Sequence, residues 1–234
     1  MAGNPEQFGG RHVIGPETGV LNGVFPTLER GAIVVDFEEN PRLYEMAYRS
    51  VENRLSRERR QPFGPLAPAR IVNQVVKEML PFKYAATQLI LEKEAEARGI
   101  EAIGPADEIE LSRFIGGGVC QHQTLFGASL LCLLQDRQDI GGTVSVRTEP
   151  PETDPGTRQH TWTRYTDGSR IIIDSAVHRT PVFAVEGLEV PIEPKRRFYL
   201  TDEELHELVE ERDLTDVDAR RLERAGLREP AVLR

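Results

Sequence analysis

Residues 116–134 read GGGVCQHQTLFGASLLCLL, and this stretch decides the fold class of the 234-residue chain. The apolar density from 119 to 134 predicts a long buried helix, and the glycines ahead of it let the chain turn sharply into that helix. We therefore expect Cys120 at a helix N-terminus, where unpaired N–H groups and the macrodipole favour an anion. Because a thiol attacks a carbonyl as its anion, Cys120 is the predicted nucleophile.

The same segment suggests how a developing oxyanion would be held. The backbone N–H of Cys120 would form half of an oxyanion hole, and the glycines would bring further N–H groups close to the substrate. The second donor is left open among Tyr84, Gln121 and Gln123. The competing interpretation of this segment alone is a small core cysteine at a helix start.

Strand patterns follow this helix. The segments predicted as strands are GTVSVRTE (142–149), HTWTRY (160–165), RIIIDSA (170–176) and PVFAVEGLEVPI (181–192), the middle two joined at TDGS. Upstream, the pattern predicts a strand over 31–37, helices over 41–60 and over 70–98 with an interruption near Pro81, and a short helix over 107–114. Gly99 is the expected C-cap of the second helix.

The order of these elements predicts an α+β fold with helices packed on an antiparallel sheet. Two further helices are predicted after the strands, over 201–213 and 216–226. We interpret the chain as one compact domain with three parts. These are an N-terminal extension with one helix (1–69), a catalytic core (70–192) and a C-terminal helical extension (193–234).

His160 and Asp174 are the predicted base and its orienting carboxylate, which complete a triad with the cysteine. In an antiparallel hairpin only residues offset by even steps share a face, so the turn decides whether the two meet. A two-residue loop would leave Asp174 on the opposite face. A three-residue loop over 166–168, with Gly168 left-handed, would place it directly opposite His160. We predict this longer loop, with Trp162 shielding the imidazole from water.

These motifs resemble those of the transglutaminase-like superfamily of cysteine enzymes. The segment 116–120 matches the family's nucleophile motif, His160 with Trp162 matches its H-x-W-type strand, and Asp174 matches the aspartate that ends the next strand. The resemblance covers roughly residues 71–176 and implies a papain-like α+β core.

The resemblance also implies a cysteine-dependent acyl-transfer enzyme that acts on an amide or ester carbonyl through a Cys-linked acyl-enzyme. Such an enzyme would be an amidase, a peptidase or an amide-forming transferase. Gly118, Gln121 and Trp162 are expected to line the substrate pocket, and we expect neither a metal nor a cofactor.

Three alternatives stay open. The glycine run also resembles, more distantly, the R-G-G-x-C motif of arylamine N-acetyltransferases, although this chain lacks the Arg before the glycines. The second is a metal site. Against it, the two side chains of a C-x-H motif at a helix start point apart, and His122 is better explained as a packing residue. Its candidate ligands are Cys120, His122, His160, Asp174 and His178. The third is a non-catalytic binding module on the same fold.

The composition limits which binding partners and which cellular compartment are expected. The formal net charge of −9 argues against nucleic acid or an anionic membrane, and no apolar run is long enough to span a bilayer. Cys120 and Cys132 lie on one predicted helix, roughly 18 Å apart, which is too far for a disulfide. Free thiols and the lack of a signal pattern favour a cytoplasmic protein. Its expected partners are peptide, protein or small-molecule amide or acyl substrates.

Overall fold

A computed structural model describes residues 7–27, 31–58, 66–148, 160–176 and 182–185, and it shows an α+β fold. The chain divides into two units, Met1–Phe183 and Ala184–Arg234, and the architecture below is that of the first. The helices predicted over 201–213 and 216–226 lie outside the described residues.

The described part of the chain contains four α-helices, which are α1 (Pro41–Glu58), α2 (Ala67–Met79), α3 (Tyr84–Arg98) and α4 (Cys120–Asp136). All four were predicted to within a few residues, including the break between α2 and α3. The break falls at Pro81, since the residue before a proline is disfavoured in helical geometry. Gly99 ends α3 as predicted, at φ +67°.

Helix α4 forms the centre of the unit. Nearly every side chain from Gln121 to Leu134 is buried, because the helix packs against α1 and α2 on one side and against strands on the other. A helix apolar on all faces is stable only in such an enclosed position. Gly127 lets α2 approach closely, since an added Cβ would lie 3.3 Å from Cγ2 of Val76.

Five short strands lie outside the main sheet: β1 (Gln7–Phe8), β2 (Arg11–His12), β3 (Gly23–Phe25), β4 (Ala32–Val35) and β5 (Glu108–Glu110). β1 and β2 form a hairpin, while β3, β4 and β5 form a mixed sheet. β4 pairs with β5 in parallel, so the fold contains a small mixed sheet in addition to the predicted antiparallel strands. The helix predicted over 107–114 is wrong at its start. Only Leu111–Phe114 is helical, as a 3-10 turn, and Ile109 faces the interior from a strand.

The main sheet has four strands in the order β6 (Thr143–Thr148), β7 (Thr161–Asp167), β8 (Ser169–Ile173) and β9 (Val182–Ala184). β6 pairs antiparallel with β7, and β7 with β8, as predicted. α4 packs across β6 and β7. The sheet thus brings the start of β7 and the end of β8 to the side where α4 begins.

The β7–β8 hairpin is tighter than predicted. Gly168 is left-handed at φ +69°, as expected, but Asp167 pairs with Ser169, so the three-residue loop is wrong. The observed register sets Tyr165 beside Ile171, and both side chains are fully buried. The predicted register would have set Tyr165 beside Ser169, losing that apolar pair.

The observed register of the β7–β8 hairpin differs from the predicted one by two residues. Ile172 pairs with Arg164, not with Trp162, so His160 is diagonal to Asp174 and not directly opposite it. A shift of two residues leaves every side chain on its original face. His160 and Asp174 therefore still share one face of the hairpin, as the catalytic interpretation requires.

Substituting Gly168 with valine should lower the free energy of unfolding by about 1–2 kcal/mol, because a β-branched residue is strained at positive φ. No atom lies within 4 Å of an added Cβ, so the cost comes from the backbone alone. Urea denaturation measures it, with Gly168→Asn as the matched control, since asparagine adopts this conformation more readily. Equal losses in the two variants would contradict a backbone origin.

Candidate active site

Cys120 is the first residue of α4, as the sequence predicts, and its side chain is half-buried. Val119 is extended at φ −118° and ψ −177°, and its backbone N–H donates to Nδ1 of His122 at 3.1 Å. The imidazole of His122 thus reaches back over the first turn, as the third helical residue does in a capping box. The thiol therefore lies at a fixed and accessible helix N-terminus.

The glycine run has a different role from the predicted one. Its N–H groups donate to carbonyls of the protein, so they do not face a substrate: Gly116 to Met79 at 2.8 Å, Gly117 to Phe114 at 3.0 Å and Gly118 to Pro81 at 3.1 Å. The carbonyl of Gly118 in turn accepts the N–H of Lys83 at 2.8 Å. The run is therefore joined to the link between α2 and α3.

Glycine is required here by the closeness of that packing. An added Cβ on Gly118 would overlap Cδ2 of Leu80, and one on Gly117 would lie 2.6 Å from Cβ of Ala86. Relieving the first contact shifts the end of the Leu80 side chain, whereas relieving the second requires the backbone of α3 to move, since Cβ is the whole side chain of Ala86. Gly118 therefore sets the position of Cys120.

His160 and Asp174 meet at the edge of the sheet. His160 directly precedes β7 and Asp174 directly follows β8, and Nε2 of the imidazole lies 2.6 Å from Oδ2 of the carboxylate. Asp174 is 1% exposed, and its Oδ1 accepts the N–H of Ala176 at 3.1 Å. The carboxylate is thus fixed from both sides.

The imidazole also forms a hydrogen bond with the side chain of Cys120. Because Nε2 faces Asp174, Nδ1 is the ring nitrogen that remains for the thiol. Burial lowers the pKa of His160, but the hydrogen bonds to Asp174 and Cys120 outweigh it and raise the pKa to about 10. At neutral pH the ring is therefore protonated and can donate to both Asp174 and the sulfur of Cys120.

Trp162 lies against this imidazole. The two ring centroids are 6.2 Å apart with an interplanar angle of 29°, and Trp162 is 4% exposed. A buried ring at this position excludes water from the hydrogen bond between His160 and Asp174. Gln121, the other predicted pocket residue, is 8% exposed in the first turn of α4.

One candidate oxyanion donor is engaged elsewhere. Nε2 of Gln123 donates to the carbonyl of Leu80 at 2.9 Å, and this side chain is 1% exposed. It holds α4 to the end of α2, and this engagement argues against Gln123 as the second oxyanion donor. Tyr84, at the start of α3, is 38% exposed.

Of the residues proposed as metal ligands, those that the structure describes do not bring three ligand atoms within 4.8 Å of one another. His122 stacks on Phe114, with ring centroids 3.8 Å apart, and uses Nδ1 for the Val119 N–H. Among the residues that the structure describes, the ligand atoms that do gather within 4.8 Å belong to Asp36, Glu39 and Glu110. The predicted packing role of His122 is confirmed, and His178 lies outside the described residues.

Two hydrogen bonds that sequence reasoning missed join α4 to β7. Oγ1 of Thr124 donates to the carbonyl of Thr161 at 2.9 Å, and Oγ1 of Thr163 donates to the carbonyl of Thr124 at 3.1 Å. All three threonines are at most 3% exposed. Thr124 lies one turn after Cys120, and Thr161 follows His160, so these bonds fix the separation of the two side chains. The sequence feature that could have indicated these bonds is a single threonine, Thr124, within the apolar run 119–134.

Replacing Thr124 with valine should slow iodoacetamide alkylation of Cys120 by about tenfold, because misplacement of a reacting group is costly. The variant keeps the side-chain shape but leaves the buried Thr161 carbonyl without its helix donor, which costs about 1–3 kcal/mol. Thr124→Ser should restore both properties.

Ser129→Ala is the matched control for Thr124→Val. It removes a buried hydroxyl from the same helix, but that hydroxyl donates within α4, to Leu125, and bonds the side chain of Tyr44 on α1, so it does not join α4 to β7. We expect it to lower stability without changing Cys120 reactivity. Equal slowing in the two variants would show a general effect of loosening α4.

No family model, no curated protein and no solved structure matches this chain. No helix among the described residues is long and apolar enough to cross a membrane. Any assignment of function therefore depends on the contacts that join Cys120, His160 and Asp174.

Proposed function

We propose that this protein is a cysteine-dependent acyl-transfer enzyme in which Cys120 attacks an amide or ester carbonyl and forms a thioester acyl-enzyme. The observation that carries the proposal is an imidazole, His160, hydrogen-bonded to both a buried carboxylate and a thiol at a helix start. A central helix beginning with the cysteine, packed on an antiparallel sheet that carries the other two residues, supports a papain-like, transglutaminase-like core.

The first half of the reaction uses the protonated ring. Sγ of Cys120 forms a bond to the carbonyl carbon, and the carbonyl electron pair moves to oxygen, where the Cys120 backbone N–H would stabilise it. As the carbonyl re-forms, the bond to the leaving nitrogen or oxygen breaks. His160 then gives its Nδ1 proton to that leaving group.

In the second half of the reaction, the imidazole of His160 is neutral and acts as a base. An acceptor attacks the thioester carbon while His160 takes the acceptor's proton, and the Sγ–C bond breaks to restore the thiolate. Water as acceptor yields a carboxylic acid, which makes the enzyme a peptidase or amidase. An amine as acceptor yields an amide, which makes it a transferase.

Asp174 and Trp162 have supporting roles in this scheme. Asp174 holds Nε2, so the ring keeps Nδ1 toward the sulfur and its positive charge is stabilised. Trp162 limits the access of water to that bond. The two free cysteines suit a reducing compartment, which supports a cytoplasmic location.

Thiol labelling tests the assignment. Iodoacetamide at neutral pH should modify Cys120 first: both thiols are half-buried, but Cys120 lies at a helix start beside His160, whereas burial raises the pKa of Cys132 to about 11. Peptide mapping identifies the labelled residue, and intact-mass measurement with candidate acyl donors should show an adduct on Cys120. Preferential labelling of Cys132 would count against a catalytic role. An inert Cys120 would favour a non-catalytic binding module.

A further inference from the structure

The guanidinium of Arg147, near the end of β6, differs from most of the arginines in its surroundings. Its Nε is buried and has no hydrogen-bond partner among the residues that the structure describes, and no ion pair between those residues includes it. The arginines that do pair with a carboxylate there are Arg11, Arg49, Arg54, Arg98, Arg113 and Arg137. An unpaired buried N–H lowers stability, so Arg147 has the properties of a group that a bound acceptor would complete.

The register of the sheet places Arg147 on the same face as the imidazole of His160. Arg147 pairs directly with Trp162, and directly opposed residues of an antiparallel pair share a face. The Trp162 ring stacks on His160 at a centroid distance of 6.2 Å, so the imidazole lies on that face too. Arg147 is therefore the diagonal neighbour of His160, a relation in which two residues are about 7–8 Å apart.

Arg147 and Asp174 flank His160 from the two strands next to β7. β7 lies between β6 and β8, and Asp174 holds Nε2 of the imidazole from the β8 side. Arg147 stands on the β6 side and is half-buried, so its side chain is accessible to solvent in part although its Nε is not. A group that enters beside His160 from the β6 side would therefore meet a cation.

The chemistry of this side chain selects its ligand. A guanidinium presents its N–H donors as a planar fork, which matches the two oxygens of a carboxylate. The formal net charge of the chain is −9, so the protein as a whole repels anions. An anionic substrate would therefore depend on a specific cation near the thiol, and Arg147 supplies one.

We infer that Arg147 binds a carboxylate carried by the acyl group of the donor. The diagonal distance between Arg147 and His160 places this carboxylate several bonds away from the carbonyl that Cys120 attacks. The preferred donors are therefore acyl groups with a free carboxylate at their far end, and their uncharged counterparts react poorly. This inference rests on the proposed function, since it names the donor class of the same acyl transfer.

Acylation by paired activated esters tests the inference. The probes are mono-p-nitrophenyl adipate, which carries a free carboxylate, and methyl p-nitrophenyl adipate, its neutral twin, with the corresponding suberates as a longer pair. In each reaction the Cys120 Sγ–C bond forms, the ester C–O bond breaks, p-nitrophenolate leaves with that electron pair, and the thiol proton is released to solvent. The readouts are p-nitrophenolate release and the mass of the Cys120 adduct.

The wild-type protein should prefer the anionic ester of at least one pair by about tenfold or more, relative to the rates without protein. Arg147→Gln should abolish this preference, while iodoacetamide still labels Cys120 at the wild-type rate. Arg147→Lys should retain part of it, because lysine keeps the charge but lacks the planar fork. The matched control is Arg70→Gln, which removes the same charge from an exposed position in α2 and should leave the preference unchanged.

The outcomes separate the two proposals. Cys120 acylation without a preference for either anionic ester, or a preference that Arg147→Gln retains in full, would overturn the role of Arg147 and leave the proposed function standing. If no ester acylates Cys120 although iodoacetamide labels it, the proposed function is overturned, and the role of Arg147 with it.

Discussion

Replacing Cys120 with alanine should abolish turnover of any acyl donor that the protein accepts, together with the acyl adduct. In a triad enzyme, removal of the nucleophile alone costs roughly a millionfold in kcat. In the proposed mechanism neither His160 nor Asp174 can replace the sulfur, because both would act on the proton and neither would form the acyl bond. The measurement is steady-state turnover beside intact mass.

The fold should survive this substitution. Alanine is the best helix former, and Cys120 is only half-buried, so the cavity left behind is small. His160 keeps its bond to Asp174 but loses one of the contacts that raise its pKa, so that pKa should fall. Cys132→Ala is the matched control and should leave turnover unchanged. Turnover that persists in Cys120→Ala would end the nucleophile hypothesis.

Local sequence patterns were sufficient for the elements that carry the site. The apolar run after the glycines predicted α4 and its first residue, and alternation predicted β7 and β8. The prediction that His160 and Asp174 share a face was also correct. Side chains alternate between faces with a period of two, so a register difference of two residues leaves each on its predicted face.

The features that the sequence could not supply depend on tertiary contacts. The register of the hairpin is set by the pairing of Tyr165 with Ile171 under α4, which turn chemistry alone does not encode. The N–H groups of Gly116 and Gly118 donate to the carbonyls of Met79 and Pro81, each 37 residues earlier in the chain. β5 is a strand because it pairs with β4, and three residues are too few for a periodicity signal.

Replacing Asp174 with asparagine should lower turnover by about a hundredfold with the fold intact. The same exchange in a serine enzyme costs about four orders of magnitude, mainly by fixing the wrong tautomer. The loss should be smaller here, because Cys120 also raises the pKa of His160 and would still support part of its charge. The asparagine oxygen can still accept the Ala176 N–H, which preserves the turn after β8.

The substitution should also change how stability depends on pH. Asp174 and Cys120 raise the pKa of His160 from 6.5 to about 10 on folding. A group whose pKa is raised on folding stabilises fully below its unfolded pKa, and the effect disappears as the pH rises through the folded value. The wild-type protein should therefore exceed Asp174→Asn in free energy of unfolding most clearly below about pH 6.5, with the difference shrinking toward about pH 10.

Asp174→Asn should move the alkaline limit of turnover to lower pH, and this shift is the signature that separates its catalytic role from a structural one. Without the carboxylate, burial pulls the pKa of His160 downward, so the imidazolium that protonates the leaving group is lost earlier. The pH–rate profile of kcat/KM measures the shift, and urea denaturation across the same pH range measures stability. Glu96→Gln, which removes an exposed carboxylate from α3, is the control and should leave both profiles unchanged. An Asp174→Asn profile that falls at the same pH as the wild-type profile would mean that another group holds the charge on His160.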